Sequence, residues 1–213
     1  MNSIFSMESR LMQGLSKVAD IMILNLLFLI CSIPVITIGA SLTALYSVTL
    51  KLARNEESYI SSSFFKAWKK NFKISTVVWL VMVYLGGTIV VDFRLFLGMP
   101  QNTSLVLSVI LGVVTIFYMM VLLLVFPYIA RFENTIKDTI KNVFLIGMGN
   151  FFRMLLALVI TLIPVFLTLI LKSKYMSMFW ILFSFSAVAY LSSFIYRKIF
   201  DKYENQNQKS EMS

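Results

Sequence analysis

Few side chains in this chain are placed to do chemistry. Asp92 and Arg94 stand close together just beyond one long uncharged run, and Arg153 stands at the start of another. Charges beside apolar runs carry a default suspicion of function, here a proton relay. Their position at the edges of the runs favours the plainer reading, in which each reaches water and anchors its segment. The chain has no histidine and one cysteine, Cys31. Counting therefore excludes a His/Cys metal centre and an intrachain disulfide. There is no HExxH helix, no lysine-bearing phosphate loop, and no nucleophile with a base beside it. Neither enzyme activity nor a bound cofactor or metal is expected.

A second set is neutral. Asn25, Thr37, Ser41, Thr43 and Tyr46 are strung along one apolar stretch that Pro34 and Gly39 interrupt. Broken helices at mid-membrane expose backbone groups that can bind small polar solutes or ions. Small and hydroxyl residues also let helices approach closely and bond across the contact. Packing is the favoured reading and a solute site the alternative. Cys31, in the same stretch, reads as a buried apolar thiol.

The third set is cationic and aromatic. On a helical projection of FFKAWKKNFK, residues 64–73, Phe64, Phe65, Trp68 and Phe72 gather on one arc. Lys66, Lys69, Lys70 and Lys73 gather on the other. The serines at 61–63 supply hydroxyls for the helix start. Rings at headgroup level, with each lysine contributing about 1 kcal/mol near anionic lipid, would hold such a helix flat. The segment is expected to anchor the span after it; a docking face for a partner protein is the rival reading.

These sets need elements to hold them, and hydropathy supplies the elements. Of 213 residues, 59% are hydrophobic and 14% charged, whereas a soluble domain carries about 25% charged residues. Stretches 21–50, 74–91, 95–130, 154–171 and 175–196 contain no Asp, Glu, Lys or Arg. About 20 apolar residues suffice for a helix to cross the hydrocarbon. The expected fold is all-α: a polytopic transmembrane helix bundle of about five spans, with short amphipathic interfacial helices, forming a single domain over 1–200. Residues 1–20 read as an amphipathic helix. Pro34 and Gly39 kink the first span, and Pro164 the fourth. A turn is expected at 98–102, a hairpin at 172–174, the fifth span at 175–197 and a disordered cytoplasmic tail at 201–213.

Lys and Arg outside the spans set the orientation. Five crossings put 13 of them on one side and 4 on the other, with the carboxyl terminus inside and the amino terminus outside. If 21–50 instead turned back on itself around Pro34 and Gly39, the amino terminus would also be inside and the split would be 15 to 2. A short internal echo favours five crossings. ARNE at 53–56 matches ARFE at 130–133, and NFK at 71–73 matches NFFR at 150–153, which suggests a repeat of 21–97 in 105–171. Both topologies stay open. The net charge of +9 sits beside apolar runs, so the expected partners are membrane lipids of the anionic inner leaflet, with no nucleic acid.

NLLFLICSIPVITIG at 25–39 and GASLTALYSVTLKLARNEESYISSSFFKAWKKNFK at 39–73 resemble the YesL-like family of bacterial integral membrane proteins of unknown function. The specific parts are the small-residue turn before Ala44, Leu45 and Tyr46, the Arg-Asn-Glu-Glu segment, and the Phe-Phe…Asn-Phe-Lys helix. They lie in the first third of the chain. Genes of this family often neighbour sugar-uptake and sugar-degradation genes in Gram-positive bacteria. The resemblance therefore implies a bacterial cell-membrane location and a link to carbohydrate utilisation, and it carries over no catalytic residue. A non-enzymatic accessory component is expected, with sugar-transporter subunits as partners. The alternative is a small solute transporter or channel using the kinked first span.

Overall fold

The computed structural model describes residues 2–56, 59–97, 104–171 and 174–211. The turn expected at 98–102 lies outside these residues, as does most of the hairpin expected at 172–174. Among the described residues helices alone make up the secondary structure: α1 (Asn2–Cys31), a 3-10 turn (Val35–Thr37), α2 (Ile38–Ala53), α3 (Ile60–Leu97), α4 (Ser104–Arg131), α5 (Ile136–Gly149), α6 (Phe151–Leu171) and α7 (Lys174–Glu211). The described residues contain no strand.

The first apolar stretch is a hairpin, which corrects the expectation of one kinked span. Pro34 takes an extended backbone, φ −74° and ψ 117°, and α1 has stopped at Cys31. The break frees carbonyls that lipid cannot satisfy. The Thr37 hydroxyl sits 2.6 Å from the Cys31 carbonyl and 2.7 Å from that of Pro34. Trp79 of α3 donates its indole N–H to the Val35 carbonyl at 2.9 Å. The chain then reverses. Lys17 Nζ donates to Asn55 Oδ1 at 3.0 Å, so the start of the hairpin's first arm lies beside the end of its second. The turned-back topology is thus the one adopted, and the preference for five crossings, drawn from the internal echo, is corrected.

The hairpin is also shallow. Its tip meets α3 at Trp79, and α3 runs on to Leu97, about 27 Å further at 1.5 Å per residue. The tip exposes Ile33 (77%), Val35 (66%) and Ile36 (57%), a surface suited to hydrocarbon and costly in water. By length and composition, three helical stretches among the described residues can cross a membrane: Val35–Ala53, Ile60–Phe96 and Val106–Arg131. The number rises to four if the bent pair Ile136–Gly149 and Phe151–Pro164 counts as one span. These helices mark a membrane protein. Val35–Ala53 is the returning arm of the hairpin.

α3 and α4 run antiparallel, tied by the Tyr118 hydroxyl donating to the Met82 carbonyl at 2.9 Å. On α3 the buried hydrophobic side chains end at Met82, and on the described part of α4 they begin at Met120. The core therefore collects at one end of this pair, around Phe64, Tyr128, Tyr196 and Phe200. Beyond it α3 and α4 expose Val83, Tyr84, Val109 and Val113, as lipid-facing helices do.

Local chemistry explains the bend between α5 and α6. Thr135 caps α5 by accepting from the Asp138 backbone N–H, the two residues forming a capping pair. Asn150 leaves helical geometry (φ −128°, ψ 34°) and donates its amide to the Ile146 carbonyl at 3.0 Å; α5 and α6 meet there at 97°. Tyr128 accepts from Asn134 and Asn142, holding α5 against α4. On its outer side α5 exposes Ile136, Ile140, Phe144 and Met148, a stripe at i, i+4 spacing that suits a membrane interface. α7 continues to Glu211. The disordered tail expected from 201 is corrected accordingly: its first turns are helix, held by Arg131 through Asp201 and Glu204.

Candidate functional site

The neutral polar residues are scattered among separate contacts. Pro34 and Thr37 belong to the hairpin tip. Gly39 faces α3 so closely that a Cβ there would lie 2.5 Å from the Ser75 carbonyl oxygen and from Trp79 Cβ. Thr43 Oγ1 is 2.8 Å from Ser75 Oγ, and both residues are fully buried. Asn25 turns the other way and accepts from the Ser186 backbone N–H at 3.0 Å. Tyr46 meets Tyr196 edge-on at 5.7 Å. Ser41 is buried with its hydroxyl unpaired. These contacts close helix on helix, and they point Asn25 and Thr43 at different neighbours.

The edge charges stay apart. Asp92 and Arg94 are exposed on α3 and form no ion pair with each other, since residues two apart do not face one another on a helix. Arg153 is exposed and donates from Nη1 to Asn150 Oδ1 at 3.2 Å.

The cationic segment departs most from its sequence reading. Residues 64–73 are the early turns of the continuous helix α3, so a separate helix lying flat is corrected. Phe64 is fully buried in the protein core, Trp68 packs against Phe72 in a tilted contact at 4.7 Å, and Phe65 is 43% exposed. The reason is α2, which occupies the face assigned to lipid: Phe64 and Ala67 are buried in one cluster with Val48 and Leu50.

Lys66 and Lys70 line a cleft of 300 Å³ between α2, α3 and α4, together with Lys51, Arg131 and Glu133. Lys69 and Lys73 are not among its lining residues. Lys70 is paired with Glu133. Arg131 is 10% exposed; its Nε donates to Glu204 at 2.8 Å and its Nη2 to Asp201 at 2.7 Å, while Nη1 is buried without a partner. Lys51 and Lys66 have no ionic partner among the described residues. Among the described residues the site is thus electropositive, with two cations left uncompensated.

Sequence reading found Lys66 and Lys70 but not Lys51, Arg131, Glu133, Asp201 or Glu204. The ARNE and ARFE echo was the available signal, and the structure gives its two copies different partners. Arg54 reaches Glu56 within its own copy at 3.4 Å, whereas Glu133 crosses to Lys70 and Arg131 to α7.

A family model described as a protein of unknown function, DUF624, matches residues 21–93. The matched stretch takes in the hairpin and most of α3, hence two of the three walls of the cleft. No curated protein matches the chain, and no solved structure matches it.

Proposed function

We propose, on the premise of that partial family match, that the chain is a non-enzymatic accessory protein of the bacterial cell membrane. In this reading it is YesL-like and works beside a carbohydrate-uptake system, with sugar-transporter subunits as its partners. The observation that carries it is the pairing of polar groups between helices: Thr43 is spent on Ser75, Thr49 on Ser193, and Asn25 on the Ser186 backbone, whereas Ser41 is left unpaired among the described residues. A carrier needs polar groups free to receive its solute, and these three are occupied by neighbouring helices. What the molecule offers instead is surface. The lipid-exposed flanks of α3 and α4 suit a partner's spans, and the cationic end suits a partner's cytoplasmic loops. The distribution of Lys and Arg favours that end as cytoplasmic, with the carboxyl terminus and the base of the hairpin both inside.

Purification in mild detergent from native membranes tests the reading. A transporter subunit that elutes with the chain in fixed ratio supports it. Elution of the chain alone, combined with sugar flux through liposomes containing nothing else, would overturn it in favour of a transporter.

A further inference from the structure

We infer that the cleft between α2, α3 and α4 binds a phosphate group, carried either by a lipid headgroup or by a free phosphorylated small molecule. Three helices each bring a cation to it: Lys51 from α2, Lys66 and Lys70 from α3, Arg131 from α4. Among the described residues Glu133 is the one acid on its lining, and Lys70 engages it. Asp201 and Glu204 take the charge of Arg131 from behind. That leaves Lys51 on the α2 wall and Lys66 on the α3 wall without an acid partner among the described residues, and an anion in the cleft is attracted to both.

The neutral lining narrows the class of anion. Ser47 and Ser63 stand on the same two walls and can donate hydroxyl hydrogen bonds. A phosphate presents several acceptor oxygens and up to two negative charges, which matches two ammonium groups and two hydroxyls better than a single carboxylate does. The cleft's 300 Å³ is at the small end of ligand sites, enough for a phosphate and the group it esterifies. Lys70 lies one turn before the uncharged run at 74–91, so the site sits at the level where the chain leaves the hydrocarbon. Both lipid headgroups and dissolved phosphates reach that level.

The inference is independent of the accessory reading, since a chain that purifies alone can still bind phosphate. The full chain, purified in a maltoside detergent, is titrated by calorimetry with inorganic phosphate and separately with short-chain phosphatidylglycerol. Saturable binding of at least one probe is expected. Lys51→Gln with Lys66→Gln weakens it about 30-fold, taking the usual effect of two surface cations, while Lys69→Gln leaves it unchanged. Neither of the substituted lysines carries an ion pair among the described residues, and Lys51→Arg with Lys66→Arg retains binding. Binding of inorganic phosphate assigns a soluble ligand; binding of the lipid alone assigns a headgroup. Absence of saturable binding with both probes, or equal weakening by Lys69→Gln, overturns the proposal.

Discussion

At the scale of single residues, two glycines show how much context decides. Gly39 is pressed against the Ser75 carbonyl and Trp79, while nothing lies within 4 Å of a Cβ built on Gly87. Gly39→Ala should cost about 1–3 kcal/mol through overpacking, seen as a lower melting temperature in detergent. Gly87→Ala should be neutral or slightly stabilising, because alanine is the better helix former. A harmless Gly39→Ala would mean that the hairpin does not seat on α3 as described. Arg131 is the second instructive residue. Its guanidinium lies over the Phe132 and Phe200 rings at 5.9 and 5.8 Å while its nitrogens bind two acids on α7. Arg131→Gln should loosen the end of α7, so that amides around Asp201 and Glu204 exchange with deuterium faster. Unchanged exchange would deny the clamp its role. Neither residue's importance is visible in composition, since each depends on a neighbour distant along the chain.

At the scale of elements, helices are joined by hydroxyl pairs as well as by apolar contact. Thr43 with Ser75 joins α2 to α3, and Ser193 with Thr49 joins α7 to α2. Such bonds contribute modestly in membranes because the separated helices find other partners. A double-mutant cycle on Thr43→Val and Ser75→Ala should return a coupling of about 0.6 kcal/mol, rising to no more than about 1.7. Zero coupling, measured by unfolding in mixed micelles, would show the hydroxyls to be near each other without bonding. The small-residue run around Gly39 was legible in the sequence as a packing device. Its partner helix was not, because small residues permit close approach to any helix and specify none. The aromatic arc of 64–73 misled for a related reason: amphipathicity reports that a face is apolar and is silent on whether lipid or protein covers it.

At the scale of the whole molecule, the hairpin fixes the sidedness of the chain. Lys17 bonds beside Asn55, and Arg197 donates to the Ala53 carbonyl at 2.9 Å, so the amino-terminal helix and the end of α7 share one side. In a Cys31→Ser background, Lys17→Cys and Lys202→Cys should react with a membrane-impermeant maleimide from the same face, and Arg94→Cys from the opposite face. Labelling of the first two from opposite faces would restore the five-crossing topology. The 15-to-2 charge split of the turned-back alternative already leaned toward a shared side. The short internal echo pulled the other way, and its two copies take different geometries: α3 passes Asn71 without a break, whereas the chain turns by 97° at Asn150.

The sequence alone determined that this chain is helical and lives in a membrane. Hydrophobic length and the scarcity of charge are local, additive properties, and they act the same way whatever the helices later touch. It also marked the break at Pro34, which acts on its own backbone neighbourhood. Tertiary structure alone decided that the first apolar stretch doubles back, that Phe64 faces protein, and that lysines and an arginine from three helices meet in one cleft. Those outcomes depend on which surfaces find each other across tens of residues, and the energy of such contacts is set by shape and pairing that no single segment contains.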